Sequence, residues 1–528
     1  MTMEQDLRRR IGQLLVFGFE GTTVPDHVAD LIRTHHLGNI ILFTRNVASV
    51  AQLTALTGEL QQLAKDSGQP LPLTIAADQE NGIVRRMPEE IAGLPGNMAL
   101  GATREPENAR RAGALTARVL SSLGVNFNLA PVLDVNNNPD NPVIGVRSFS
   151  DLPGTVAEFG TAIIEGIQDQ GVIACGKHFP GHGDTNVDSH LDLPTIPHDR
   201  ARLDAIELVP FSAAIRAGVD VLMTAHVVFP AVEPDGIPAT LSRRVLTDLL
   251  RGELGFTGVI TTDCLEMNAI SETVGTPQGA VQALRAGADL VMVSHRLDRQ
   301  LATIEAIVAA VTSGQLSEDR INDAFQRVMA LKAKRLLRAA RDATVPKREA
   351  MELQQELSQA AVTRLTTGPA LPASAKTVAI LLDEMAPLMV AAGRGGNNPL
   401  IENALRSVLP QAVTQVFSFP SAFNEYTEAD LLTRLEKVDA IIAGVNGMQN
   451  ARYLDFLAQV EQLSVPQGTL LLRSPYDARR FLQAPNLIAL YENTPWMAEA
   501  AVRAICGGSA LGRLPVAVSD EFPRGHHA

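Results

Sequence analysis

Eight short apolar runs recur through the first 300 or so residues, each closing on glycine or a polar residue and each followed by a helical pattern. They are QLLVFGF (13–19), GNIILFT (38–44), LPLTIAAD (71–78), VNFNLAPVLDV (125–135), GVIACGKH (171–178), VDVLMTAH (219–226), GVITTD (258–263) and ADLVMVSH (288–295). Near-continuous hydrophobicity is what a parallel strand needs when helices or a core cover both its faces. Between the runs lie stretches such as TVAEFGTAIIEGIQDQG and RARLDAIELVPFSAAIRAG, with apolar residues at helical spacing. Eight strand–helix units point to a (β/α)8 barrel, and the position of the later motifs favours it over a doubly wound sheet.

After Arg338 the pattern changes. Residues 339–376 read as a connecting helix, REAMELQQELSQAAVTRL, and a loop. A second alternating series follows: TVAILLDE (377–384), AVTQVFSF (412–419), VDAIIAGVN (438–446), GTLLLRSPYD (468–477) and NLIALYE (486–492). The expected organisation is a catalytic barrel over 1–338, a linker over 339–376 and a smaller α/β sandwich domain over 377–528. GRGGNN (393–398) follows no dinucleotide fingerprint and has no P-loop ending, so it reads as a loop.

Composition narrows the class. Of 528 residues, 46% are hydrophobic and 20% charged, ordinary for a globular protein, and the net charge of −13 argues against a nucleic-acid or membrane-surface binder. Three scattered cysteines suggest neither a disulfide framework nor a thiolate zinc site. The amino terminus has only a short apolar run, and a reducing, cytoplasmic setting is expected.

In a barrel, chemistry gathers at the carboxyl ends of the strands. Run three ends in Asp78, run four leads to Arg147, and run five ends in Lys177 and His178. Runs six, seven and eight end in His226, Asp263 and His295. Polar groups at consecutive strand ends imply a polar pocket. Run five opens directly into KHFPGHGDTNVDSH (177–190). His178, His182, Asp184, Asp188 and His190 are suitable metal ligands, but their spacing matches no common zinc pattern and Lys177 would repel a dication. The second reading pairs Asp188 with His190: residues two apart on an extended segment point the same way, so the carboxylate can orient the imidazole as a general acid/base. No GxSxG accompanies them.

KHFPGHGDTNVDSH resembles the signature of bacterial β-N-acetylglucosaminidases of glycoside hydrolase family 3. ADQENGIVRR, APVLDV, IGVRSFS, VLMTAH and GVITTDCLEM match in family order, and LLRSPYDARRF, LIALYENTPWMAEAAVRAICGG and GRLPVAV resemble its carboxyl-terminal domain. The resemblance implies a retaining exo-acting enzyme with Asp263 as nucleophile and His190 as acid/base oriented by Asp188. Asp78, Arg86, Arg147, Lys177 and His178 would hold the N-acetylglucosamine ring, with no cofactor or metal. Peptidoglycan-derived muropeptides are the implied substrates. Two departures stand out: ENG (80–82) where two glycines commonly follow the glutamate, and Cys264 where aspartate is frequent. His226 is expected to be a packed supporting residue, His182 and Asp184 to shape the loop, and His295 has no assigned role. A histidine that has given up its proton is neutral and does not repel phosphate, so phosphorolysis is the alternative to hydrolysis. A metal-dependent hydrolase and a non-catalytic sugar sensor are the other readings.

Overall fold

The computed structural model describes residues 3–186, 192–337, 344–383 and 399–528. The eight apolar runs supply β1 (Leu15–Phe17), β2 (Asn39–Leu42), β3 (Thr74–Ala77), β4 (Phe127–Asn128), β5 (Ile173–Phe179), β6 (Val221–Thr224), β7 (Val259–Cys264) and β8 (Leu290–Val293). Each pairs in parallel with the next, and β8 pairs with β1 to close an eight-stranded barrel. Almost every strand residue is buried, which is why the runs carry no alternation of polar and apolar positions. β4 is only two residues long. Pro131 has no N–H for the ladder, although Val132 still bridges to Lys177.

The ladder shifts register between Gly176 and Phe179, where β5 meets β6, and between Thr261 and Cys264, where β7 meets β8. Irregularities of this kind re-aim the side chains that follow. Both fall where Lys177, His178 and Asp263 leave the sheet.

A helix at Lys347–Ala361 leads out of the barrel and stays bound to it through Arg111–Glu356 (2.6 Å) and Arg118–Glu349. Next come β9 (Thr363–Arg364), β10 (Thr377–Asp383), β11 (Val413–Phe419), β12 (Ala440–Val445), β13 (Gln467–Leu471) and β14 (Leu487–Ala489). They form one sheet in the order β11-β10-β12-β13-β14-β9, parallel throughout except for β9 against β14. β9 lies within the stretch read from sequence as linker and is already part of this second sheet. GRGGNN (393–398) lies outside the described residues.

The segments following β13 and β14 meet the loops of the barrel rim. Asn136 Nδ2 donates to the Tyr476 hydroxyl (2.9 Å), Gly96 N–H donates to Glu492 (2.7 Å), and Ser150 Oγ donates to the Pro515 carbonyl (2.5 Å). Trp496 lies so close over Gly93 that a Cβ there would sit 2.3 Å from the indole. The second domain therefore braces the loops that carry the polar pocket.

Candidate active site

The turn after β3 begins at Asp78 and is held by two backbone links, Glu80 N–H to the Val84 carbonyl and Gly82 N–H to the Leu94 carbonyl. It delivers two carboxylates to Lys177 on β5. Lys177 Nζ lies 2.8 Å from Asp78 Oδ1 and 2.7 Å from Glu80 Oε1. Arg147 grips the same Glu80 carboxylate with two parallel bonds of 2.7 and 2.9 Å, and donates a third to the Val143 carbonyl. Two cations thus face two anions in a nearly dry environment. The side chains of Glu80, Lys177 and Arg147 are 3–4% exposed, whereas Asp78, at 20%, keeps an open side.

Burial alone would favour neutral groups. For Glu80 the charges of Arg147 and Lys177 outweigh that desolvation and hold its carboxyl well below the ordinary range. For Lys177, the neighbouring Asp78 and Glu80 likewise outweigh desolvation and raise the ammonium. Glu80, Lys177 and Arg147 are each held in their charged form by their oppositely charged neighbours.

Asp134, near the end of run four, is the second organising carboxylate. Fully buried, it accepts the backbone N–H groups of His178 (3.2 Å) and His182 (2.7 Å) on Oδ1 and lies 2.7 Å from His178 Nδ1 on Oδ2. Desolvation opposes its charge, but His178 and these bonds hold it below the ordinary carboxylate range. His182 Nδ1 pairs with Thr185 Oγ1 at 2.8 Å. Burial, reinforced by His178, pushes His182 down to about 4, so its ring is neutral at physiological pH.

The loop after β5 is seated by its glycines and by Asn141. A Cβ on Gly183 would fall 1.7 Å from the Val135 carbonyl oxygen, so only glycine permits this approach. Asn141 Nδ2 donates to the carbonyls of His182 and Gly183. Asp184 is 2.5 Å from His198 Nε2 and 3.5 Å from Arg202. His178, His182 and Asp184 are thus turned to three different partners. Among the described residues they do not converge as a three-ligand metal group. Asp188 and His190, expected as orienting carboxylate and acid/base, lie outside the described residues.

Asp263 lies near the end of β7, partly exposed, with Oδ1 accepting the Cys264 N–H at 2.7 Å. The end of that strand is buttressed by His226, whose Nε2 is 3.0 Å from the Cys264 carbonyl and whose Nδ1 is 2.8 Å from Thr240 Oγ1. The supporting role expected for His226 fits this geometry. Cys175 is fully buried on β5, and that burial pushes its thiol up. Arg86 ends the turn after β3, buried, with its N–H on Gln79 Oε1 (2.8 Å) and Nη1 on the Arg85 carbonyl.

Two residues of this site were not singled out in the sequence. Glu80 stands two positions beyond Asp78, an acidic neighbour within ADQEN that could have drawn attention. Asp134 stands inside the fourth run, followed by Val135, and so does not close it as Asp263 closes the seventh. Arg147, expected to face the sugar, spends its fork on Glu80.

A closed parallel barrel with a carboxylate at the end of β7, a charged polar cluster between β3 and β5 and an α/β domain against the rim is an arrangement found among the glycoside hydrolases. The chain belongs to one family of them: residues 6–331 match the glycosyl hydrolase family 3 N-terminal domain. It is 39% identical to a family 3 β-N-acetylglucosaminidase of known structure from Paenibacillus sp. str. FPU-7, with a TM-score of 0.90, covering 98% of this chain and 99% of that one. Beta-hexosaminidase A of Pseudoalteromonas piscicida is 36% identical over 376 residues, 66% of this chain and 63% of that protein's length. Beta-hexosaminidase of Alkalilimnicola ehrlichii is 39% identical over 287 residues, 53% of this chain and 80% of that protein.

Proposed function

We propose that the protein is a retaining exo-β-N-acetylglucosaminidase, releasing terminal N-acetylglucosamine from β-glycosides. The observation that supports this reading is that Asp263, near the end of β7, and the Asp78–Glu80–Lys177–Arg147 cluster, built at the ends of β3 and β5, belong to the carboxyl end of one closed parallel barrel. A retaining glycosidase needs one carboxylate to trap the oxocarbenium-like centre and one acid to protonate the departing oxygen. Asp263 has the exposure and the strand-end position for the first task. Asp78 and Lys177 offer an acceptor and a donor to adjacent sugar hydroxyls, with Glu80 and Arg147 holding them in place, and Arg86 and His178 complete the ring contacts in this reading.

The reaction then runs in two displacements. His190, as imidazolium steadied by Asp188, gives its proton to the glycosidic oxygen while Asp263 bonds to C1, and the aglycone leaves. The neutral imidazole next takes a proton from water. The water oxygen attacks C1, the ester to Asp263 breaks, and the sugar departs with its β configuration retained.

The similarity to proteins described as β-N-acetylglucosaminidase and β-hexosaminidase supports the sugar assignment. Muropeptides bearing a non-reducing N-acetylglucosamine are the natural substrates in this reading. The three unpaired cysteines suit a reducing, cytoplasmic site of action. No helix among the described residues is long and apolar enough to cross a membrane.

The test is release of aryl alcohol from an aryl β-N-acetylglucosaminide by wild type, Asp263→Asn and His190→Ala, with and without phosphate. Free sugar as product, abolished in the first variant and reduced in the second, is expected. Phosphate-dependent formation of sugar 1-phosphate would make the protein a phosphorylase instead. Sugar binding without any release would make it a sensor.

A further inference from the structure

Beside Asp263, and outside the groups assigned to the reaction, three side chains of metal-binding type converge from the ends of two strands. Cys264 is the last residue of β7, Glu266 lies two positions on, and His295 follows β8. One ligand atom from each lies within 4.8 Å of the other two. Cys264 Sγ is 3.9 Å from Glu266 Oε2. The Glu266 carboxylate is held from behind by the N–H groups of His295 (2.6 Å) and Arg296 (3.1 Å). The imidazole leans on the Phe43 ring, with centroids 5.1 Å apart. The thiol is buried, but Glu266 is partly exposed and His295 exposed, so the cluster opens to solvent.

We propose that Cys264, Glu266 and His295 form a binding site for a thiophilic divalent cation of the zinc or cadmium class. Bonds of about 2.3 Å to sulfur and about 2.0 Å to oxygen span the observed 3.9 Å at an angle near 130°. Three atoms lying within 4.8 Å of one another share a point no more than about 2.8 Å from each, so side-chain movements below about 1 Å reach ordinary zinc distances. On binding, the thiol proton leaves to solvent and the sulfur lone pair forms the metal bond. The weak Cys264–Glu266 contact is replaced by a thiolate–metal–carboxylate link, with neutral imidazole third and water fourth. Thiolate and carboxylate together balance the two positive charges.

Two cations stand against the site, Arg45 and, beside Glu266, Arg296. Arg45 lies over the Phe43 ring at 4.3 Å, is bonded to the carbonyls of Phe19 and Ser294, and pairs with Glu20 at 3.0 Å. Its charge reaches Cys264 and Glu266. That opposition disfavours hard ions held by charge alone, such as magnesium or calcium, and leaves the advantage to metals that bond sulfur. The Cys264 N–H that supports Asp263 belongs to the liganding residue, so a loaded site displaces the support of that carboxylate and slows turnover. This consequence rests on the role proposed for Asp263, whereas the site itself does not.

The test titrates metal-free protein with cobalt(II) alone, reading the thiolate-to-metal charge-transfer absorption, and then displaces it with zinc. Saturation at one equivalent is expected, with the absorption lost in Cys264→Ser. Affinity should fall by at least about tenfold in His295→Gln, since a ligand counts for no less than the partners behind it. Zinc should slow turnover of wild type and not of His295→Gln, whose metal-free activity and circular dichroism match wild type. Absence of the absorption, or its survival in Cys264→Ser, overturns the site. A protein that binds cobalt as described but cleaves no glycoside in metal-free buffer keeps the site and loses the proposed function.

Discussion

Arg147 holds Glu80 through two parallel hydrogen bonds of 2.7 and 2.9 Å, in a place where neither side chain is more than 4% exposed. The pair positions Lys177, and through it Asp78, so the two groups proposed to face the sugar owe their arrangement to a buried carboxylate.

Replacing that carboxylate removes the balance of a buried cluster. Glu80→Gln should lower stability by about 3–5 kcal/mol, because Arg147 and Lys177 remain buried with one anion between them. Since the fold holds Glu80 well below its ordinary range, its contribution is complete above the unfolded value of about 4.3 and disappears as pH falls through the folded one. Urea unfolding of wild type and variant from pH 7 down to acid checks both points: the two curves should converge as pH falls.

Asp134 supports both the fold and the site. Asp134→Asn retains an acceptor for the N–H groups of His178 and His182 but turns an amide N–H2 toward His178 Nδ1. The ring must change tautomer or lose the bond. Loss of one such charge-assisted bond is worth about 1.5–3 kcal/mol, or roughly 10–150-fold in kcat/KM. Steady-state kinetics should show this loss, and the thermal midpoint should fall with it, because the same bond lies in the buried frame of the site.

Legibility in the sequence followed chain proximity. The barrel was readable because strands buried on both faces leave continuous apolar runs, and Asp78, Lys177, His178 and Asp263 were readable because each directly closes such a run. Glu80 gains its meaning from Arg147, 67 residues later, and Asp134 from His178, 44 residues later. Neither relation leaves a local mark. Thr363–Arg364 reads as linker because two residues carry no periodicity; their pairing with β14 is a tertiary event. The brace from Glu492 to Gly96 spans 396 residues and two domains.

That brace has its own titration. Glu492 receives Gly96 N–H on one oxygen and the Thr494 hydroxyl and Trp496 Nε1–H on the other. Burial outweighs these donors and pushes its carboxyl up to about 7. A raised folded value means that the native state binds the extra proton between about pH 4.3 and 7, so stability falls as pH rises through that window, by up to roughly 3 kcal/mol. In Glu492→Gln this slope should vanish, while the amide leaves one donor unmet at the seam with Gly82 and Gly96. Melting temperatures across pH 4–8 for both proteins check it. Equal slopes would remove Glu492 from the pH response.

The central claim is that Asp263 bonds to the sugar during turnover. The direct measurement is mass spectrometry of protein quenched in acid while cleaving an activated aryl β-N-acetylglucosaminide, followed by peptide mapping. One N-acetylglucosaminyl group on the peptide containing Asp263, absent in Asp263→Asn, is the expected result. A label on another carboxylate, or first-formed sugar of the α configuration, would contradict the account.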